Sequence, residues 1–271
     1  ETLERAVAAQ SSWEALGDAK RAEILHRCAD VMAAHRDASI ACLRVHAKKA
    51  IWESDAEISE AIDFARYYAL HTAPQGTNSK ALGVVAVAPP WNFPFAIPCG
   101  GVLAALMAGN AVIFKPAPEV VEVAWWLVQQ LWEAGVPRDV LQFFPCEDGE
   151  VGKGLICDSR VKAVVLTGGY ETARMFREWR PSLTLYAETS GKNAIVVSAL
   201  ADRDLAVKDI VRSAFGHSGQ KCSAASRAYI PRSVWQQMDT EFLHLTSQLR
   251  FGDVTSDLSL FMGAVIDNRS F

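Results

Sequence analysis

What this 271-residue sequence lacks narrows it first. None of its six cysteines (Cys28, Cys42, Cys99, Cys146, Cys157 and Cys222) is paired as Cys-x-x-Cys, and no His or Cys lies at finger-like spacing from another. No metal site is therefore expected. The even count would allow disulfides, but a chain this long and apolar needs no staples and opens without a secretory leader, so reduced thiols in the cytoplasm are expected. The longest apolar run, around residues 100–106, is too short to cross a bilayer. Acids and bases are mixed, the formal net charge is only −4 and there is no basic stripe, which speaks against a nucleic-acid partner. Internal repeats and low-complexity segments are also missing.

What is present is ordinary for a soluble globular protein: 50% hydrophobic and 21% charged residues, in a chain long enough to bury most of its apolar surface as one large domain or two smaller ones. The first 80 residues read as helical. Leu3, Ala6, Val7, Ala9 and Trp13 recur at helical spacing, and Ile24, Leu25, Cys28, Val31 and Met32 share one face of a second stretch over 21–35. A third helix is expected from Ser54, as N-cap, to about Leu70. From Leu82 the pattern changes. Short apolar runs at 83–88, 111–114, 140–144 and 161–166 each stop at proline or glycine, with helical stretches between them at 98–107, 119–133, 150–156 and 171–179. Strands alternating with helices predict an α/β fold on a parallel sheet, whose ligands bind beyond the carboxyl ends of the strands. Further strands are expected at 183–187, 194–197, 227–230 and 263–266, with helices at 202–215 and from about 233.

The strand ends carry the residues that could do chemistry. Pro90-Trp91-Asn92-Phe93-Pro94 follows the first strand, and an Asn between rigid prolines is a plausible fixed amide donor to an oxyanion, although an ordinary turn over a buried Trp reads equally from these residues. Lys115-Pro116-Ala117-Pro118-Glu119 ends the next strand and opens a helix; its lysine can reach a ribose or phosphate or simply belong to a capped surface helix. Thr167-Gly168-Gly169 ends another strand at a helix start, where backbone N–H groups can meet a pyrophosphate. Glu188, in Ala187-Glu188-Thr189-Ser190-Gly191-Lys192-Asn193, is either a surface residue at a turn or, between apolar strands, a partly desolvated base. The glycine-rich Gly216-His217-Ser218-Gly219-Gln220-Lys221-Cys222-Ser223-Ala224 places a thiol beside Lys221, and nearby positive charge favours a thiolate; taken alone, the thiol reads as a small core hydrophobe.

In combination these segments resemble the aldehyde dehydrogenase superfamily. Its Pro-Trp-Asn-Phe-Pro, Lys-Pro-Ala, Thr-Gly-(Ser/Gly), Glu-x-(Gly/Ser)-Gly-Lys and Gly-Gln-x-Cys signatures all occur here in the family's order, and the resemblance runs from residue 1 to residue 271. The 34 residues from Glu188 to Cys222 and the 23 from Asn92 to Lys115 also look like the family's. Within the superfamily, Gly219–Ala224 with Ser226-Arg227 and 229–231, Trp91–Pro98, and Glu60–Tyr68 look most like the L-glutamate γ-semialdehyde (Δ1-pyrroline-5-carboxylate) dehydrogenases, an activity that in bacteria is often the C-terminal module of the bifunctional proline-oxidising protein PutA.

The resemblance implies a Rossmann-like NAD(P)-binding domain with N-terminal helices over 1–189 and the start of a second α/β catalytic domain over 190–271. It implies Cys222 as nucleophile, Asn92 as oxyanion donor and Glu188 as base. Trp91, Lys115, Glu119, Gly168 and Gly169 would line the cofactor site, and Ser223 would face the substrate. The cofactor is NAD, with NADP as the alternative. The partners are a small-molecule aldehyde and further copies of the full-length enzyme, with no nucleic acid and no membrane span. The sequence departs from the pattern at Pro118, where the family usually has Glu (here Glu119, one later), at Gly169 in place of Ser, and at 72–80, short where the family usually inserts an oligomerisation hairpin. The family's later Glu-x-Phe-Gly-Pro segment and substrate-carboxylate loop are absent, so a truncated catalytic domain is expected. Two rival readings are a dehydrogenase of another aldehyde, such as succinate semialdehyde, and a non-catalytic dinucleotide-binding fragment.

Overall fold

The computed structural model describes residues 1–71, 80–147 and 149–271. They form two compact units: Glu1–Ala47 with Asp55–Thr189, and Lys48–Ser54 with Ser190–Phe271.

The first unit opens with helices α1 (Thr2–Ala15), α2 (Asp18–Ala34), α3 (Arg36–His46) and α4 (Ile51–Leu70), of which Ile51–Ser54 groups with the second unit. Strands and helices then alternate: β1 (Val84–Ala88), α5 (Ala96–Met107), β2 (Ala111–Phe114), α6 (Val121–Glu133), β3 (Leu141–Phe143), α7 (Glu150–Cys157), β4 (Val161–Gly168), α8 (Tyr170–Trp179) and β5 (Thr184–Thr189). All five strands are parallel, in the order β3-β2-β1-β4-β5. The expected parallel α/β sheet is thus present, and its strand order reverses between β1 and β4.

Period-two alternation decides what packs on each face. Val84 and Ala86 of β1 join Ala6 of α1, Leu155 and Ile156 of α7 and Phe176 of α8 in one buried cluster. Alternate residues meet α5: a Cβ on Gly101 would lie 3.1 Å from Val87 Cγ1 and 3.4 Å from Val165 Cγ1. Helices therefore cover both faces, as an apolar parallel sheet requires, and each fully buried Val, Leu or Ile contributes about 1.5–3 kcal/mol. The carboxyl end of α5 is satisfied from α1 and α2: Trp13 Nε1 donates to Leu106 O at 2.8 Å, and buried Arg21 donates from Nε to Met107 O at 3.0 Å.

In the second unit β6 (Asn193–Val196) pairs in parallel with β7 (Ala225–Tyr229), and α9 (Arg203–Phe215) connects them. Asp202 caps α9, its Oδ1 accepting the Leu205 N–H at 3.0 Å. Helices α10 (Arg232–Trp235) and α11 (Asp239–Ser247) follow. Val197, Val207, Ile210, Val211, Val234 and Met238 form the core. A smaller cluster joins Ala50, Val254 and Leu260 with Trp52.

Three expectations need correcting or setting aside. Ser54 is not an N-cap: α4 already begins at Ile51, and the Ser54 hydroxyl donates back to Ala50 O at 3.0 Å. Residues 263–266 form no strand. Among the described residues the pairing near them is an isolated bridge between Phe251 and Met262, and the backbone at Gly263 leaves no room for a Cβ beside the Lys48 carbonyl. The expected hairpin deletion at 72–80 falls, but for Lys80, outside the described residues. Among the described residues no helix is long and apolar enough to cross a membrane.

Candidate active site

The first unit gathers most of the expected site residues at one edge of its sheet. The pairs Val87↔Phe114, Ala88↔Leu166 and Gly168↔Thr189 show that β1, β2, β4 and β5 finish at one edge of the sheet, with β4 and β5 reaching furthest. Trp91 and Asn92, both half-buried, therefore follow β1 at that edge; Lys115 follows β2; Gly168 ends β4 and Gly169 precedes α8. Glu188 lies opposite Thr167 near the end of β5. Trp91, Asn92, Gly168 and Gly169 thus flank the reversal of strand order between β1 and β4, where sheets of this kind bind ligands.

A residue outside the expected motifs fixes the Asn92 segment. Glu57 is buried in α4, and its Oε1 accepts the backbone N–H groups of Phe95 at 2.8 Å and Ala96 at 3.1 Å. It anchors the end of the Pro90–Pro94 turn at the start of α5, where a negative charge also suits the helix dipole. Nothing local in the sequence marks this role, because 38 residues separate Glu57 from Phe95.

The donors at this edge suit an anionic dinucleotide. Among the described residues no side chain caps α8, whose amino end begins beside Gly169, and the N–H groups of a helix start suit an anion. Lys115 runs along α7, its Cε 3.4 Å from where a Cβ on Gly152 would stand, and it supplies a cation at the end of β2. Glu119 lies in a 3-10 turn, Pro118–Val120, ahead of α6.

Of the two readings left open for Glu188, the surface one fits: the residue is exposed on β5, which among the described residues pairs with β4 on one side only.

Cys222 and Ser223 belong to the second unit, both exposed in a turn between Gly219 and β7. The Ala224 N–H donates to Lys221 O at 3.2 Å, which puts Cys222 and Ser223 at the two central positions of that turn. The approach to it has unusual backbone: His217 and Ser218 have φ of 51° and 58°, and Gly219 has φ of 74°. Two non-glycine residues in the left-handed region store strain that the surroundings must hold. Four tethers do so. Asn193 Nδ2 donates to Cys222 O at 2.5 Å and to Ala224 O at 3.1 Å. Ser218 Oγ donates to Gly263 O at 2.6 Å, and Gln220 Oε1 accepts the Ile266 N–H at 2.9 Å. Lys221 Nζ pairs with Glu53 Oε1 at 2.6 Å, with Glu53 only 5% exposed.

The last contact gives Lys221, expected as the positive charge beside the thiol, a carboxylate partner within the same unit. Its ammonium is taken up by Glu53 and lies over the Trp52 ring, 5.5 Å from the centroid. Losing one partner of a buried pair of this kind costs about 3–5 kcal/mol. Sequence reading could not find Glu53, because 168 residues separate it from Lys221.

The parallel sheet with its central reversal of strand order defines a doubly wound α/β protein, and the second unit adds an exposed thiol on a tethered turn. The chain belongs to the aldehyde dehydrogenase family, whose model matches residues 1–271. It is 39% identical to the 1-pyrroline-5-carboxylate dehydrogenase of Geobacillus kaustophilus (strain HTA426) over 96% of this chain and 55% of that protein. Among solved structures, proline utilization A (PutA) from Bdellovibrio bacteriovorus inactivated by N-propargylglycine superposes with a TM-score of 0.92 at 33% identity, over 99% of this chain and 30% of that one. The 1-pyrroline-5-carboxylate dehydrogenase from Thermus with bound NAD gives a TM-score of 0.91 at 31% identity, over 99% of this chain and 56% of that one. The chain thus spans about half the length of the curated relatives it matches.

Proposed function

We propose that this chain carries the dinucleotide-binding part and the nucleophile of an NAD(P)-dependent aldehyde dehydrogenase that oxidises L-glutamate γ-semialdehyde to L-glutamate in proline catabolism. The observation that carries this reading is the 39% identity, over 96% of the chain, to a 1-pyrroline-5-carboxylate dehydrogenase. In it, residues 1–189 bind the dinucleotide and 190–271 open the catalytic domain. NAD is the preferred cofactor, supported by the NAD-bound Thermus relative, and NADP is the alternative. When bound, the dinucleotide accepts the two electrons and the hydrogen that leave the reacting carbon.

The chain's own residues do the rest. The Cys222 thiolate forms a C–S bond to the aldehyde carbon, and the carbonyl π electrons move to oxygen, giving a thiohemiacetal alkoxide. The Cys222 N–H and the Asn92 side chain hold that oxyanion. When it collapses, the C=O double bond re-forms as the carbon loses its hydrogen, leaving a thioester. Glu188 takes a proton from water, whose oxygen attacks the thioester; the C–S bond breaks and Cys222 leaves as thiolate. Lys115 and Glu119 engage the adenine ribose, Trp91 lines the cleft, and Gly168 and Gly169 admit the pyrophosphate beside the start of α8. Ser223 faces the substrate. The exposure of Glu188 suits a residue that works on water.

Self-association of the full-length enzyme is tested by sedimentation. The decisive experiment follows reduced-nicotinamide absorbance with γ-semialdehyde, succinate semialdehyde and simple aldehydes, using the natural polypeptide that contains this chain. γ-Semialdehyde is the preferred substrate and Cys222→Ala abolishes turnover. Normal turnover by the alanine variant would remove Cys222 from the mechanism, and a preference for succinate semialdehyde would overturn the substrate.

A further inference from the structure

Beyond the reaction itself, the second unit contains a buried carboxylate to which the proposed chemistry gives no role. Glu53, near the start of α4, is 5% exposed by side chain and pairs with Lys221 Nζ at 2.6 Å. It also governs the other end of the same loop. A Cβ on Gly216 would stand 3.0 Å from Glu53 Oε1 and 3.2 Å from Lys221 Nζ. The loop thus begins and ends against one ion pair, and residue 216 has room for no larger side chain without moving that pair. The pair itself is held from outside. The Trp52 ring lies beneath both Lys221 Nζ and, at 5.3 Å, the Arg212 guanidinium, and Trp52 Nε1 donates to Phe261 O at 3.0 Å.

We propose that Glu53 is a positioning residue for Cys222: by gripping Lys221 against Gly216, it closes the 216–221 loop and fixes the backbone from which the thiol projects. This rests on the reading of Cys222 as the nucleophile. The physical reason is the loop's own instability. With His217, Ser218 and Gly219 all at positive φ, the segment has little intrinsic reason to stay in one shape, and a pinned end selects one. The grip also ties the residue immediately before the thiol to a buried carboxylate of the same unit.

The test uses Glu53→Gln, Lys221→Met and Lys221→Arg in the full chain, at one fixed pH near neutrality. Two readouts are taken that need no turnover: amide hydrogen exchange resolved by peptide, and the iodoacetamide alkylation rate of Cys222 resolved by mass spectrometry. Glu53→Gln and Lys221→Met are each expected to accelerate exchange across 216–224 by about tenfold or more, while peptides of β1, β2 and β4 stay within about twofold of the parent. Lys221→Arg, which keeps the charge, stays close to the parent. Alkylation separates a specific role from general loosening: Glu53→Gln speeds Cys222 and Lys221→Met slows it, because one leaves the ammonium and the other the carboxylate without its counter-charge. Unchanged exchange across 216–224 in Glu53→Gln would overturn the proposal, and so would alkylation shifting in the same direction in both variants. Should Glu53→Gln not fold, the neutral pair E53Q/K221M buries no lone charge and must show the same accelerated exchange. A failed Cys222→Ala turnover test would remove the reaction but leave both readouts intact, whereas unchanged readouts would leave the reaction untouched.

Discussion

Asn193→Asp is the sharpest single perturbation of the Cys222 turn. It conserves volume and shape and exchanges a donor for a charged acceptor. In the parent, Asn193 Nδ2 serves two carbonyls, Cys222 O at 2.5 Å and Ala224 O at 3.1 Å. Each such bond is worth about 0.5–1.5 kcal/mol net, so removing both costs about 1–3 kcal/mol. Because Asn193 and Cys222 are exposed, water re-solvates the carbonyls in Asn193→Ala, which falls near the low end of that range. In Asn193→Asp the same carbonyls face a carboxylate, which adds repulsion and brings the total to about 2–3 kcal/mol. At about 2–4 °C per kcal/mol, the Asp variant melts about 4–12 °C below the parent, with the Ala variant between them. Turnover falls further than stability, because a displacement of about 1 Å at a reacting atom can cost about a hundredfold. Melting is followed by calorimetry and turnover by reduced-nicotinamide absorbance. The reasoning is refuted if Asn193→Asp melts like the parent, or if Asn193→Ala is the more destabilised of the two.

Three further outcomes follow from burial, contact and charge. In the native chain near about pH 8, iodoacetamide modifies the exposed Cys222 and Cys157 first. Cys28, pushed up to about 12 by burial, and Cys99, raised well above the usual thiol range by burial and by the neighbouring Cys28, react only after unfolding; peptide mapping that found Cys28 labelled as fast as Cys222 would contradict this. Gly263→Ala places a Cβ into the Lys48 carbonyl oxygen and destabilises by about 1–3 kcal/mol or more through overpacking, read as a lowered urea midpoint; an unmoved midpoint counts against the close approach. The Asp158 carboxyl is held at about 2, chiefly by its side-chain hydrogen bond with Arg160 and then by the Arg160 backbone N–H. A depressed folded pKa means its stabilising contribution is complete above the unfolded value, 3.8, and is lost as pH falls through about 2. Melting temperature measured across that interval should fall less steeply in Asp158→Asn than in the parent, and identical slopes would speak against the assignment.

The sheet was legible because its signals are local. β2 runs from Ala111 to Phe114, as expected from an apolar run closed by Lys115-Pro116, since proline cannot continue a strand. β4 runs on through Thr167 and Gly168, so the glycines that mark its end still lie at the strand terminus. Helix α3 was not singled out, because it buries only Ser39 and Leu43 and shows too short an apolar stripe to stand apart from its neighbours. Ser54 misled as a cap because serine in a helix interior can bond back to the residue four earlier, and it does so here. At the site, the family motifs marked the residues at strand ends and in the cysteine turn, but not the groups that hold them. Glu57 grips the Asn92 segment and Glu53 grips Lys221 across large gaps in sequence, and pairings of that kind have no periodicity to read. Whether Glu188 is shielded or exposed stayed open in the sequence, because the residue types of β5 do not fix what covers it.

The seven residues Lys48–Ser54 group with a unit whose remaining residues begin only at Ser190. No single cut in the polypeptide therefore separates the two units cleanly. A peptide started at Ser190 would leave Lys221 with no counter-charge, and Val254 and Leu260 without Ala50 and Trp52 to cover them. During synthesis the ribosome releases those seven residues long before their packing partners emerge, and the Cys222 turn gains its last tethers only when Gly263 and Ile266 follow.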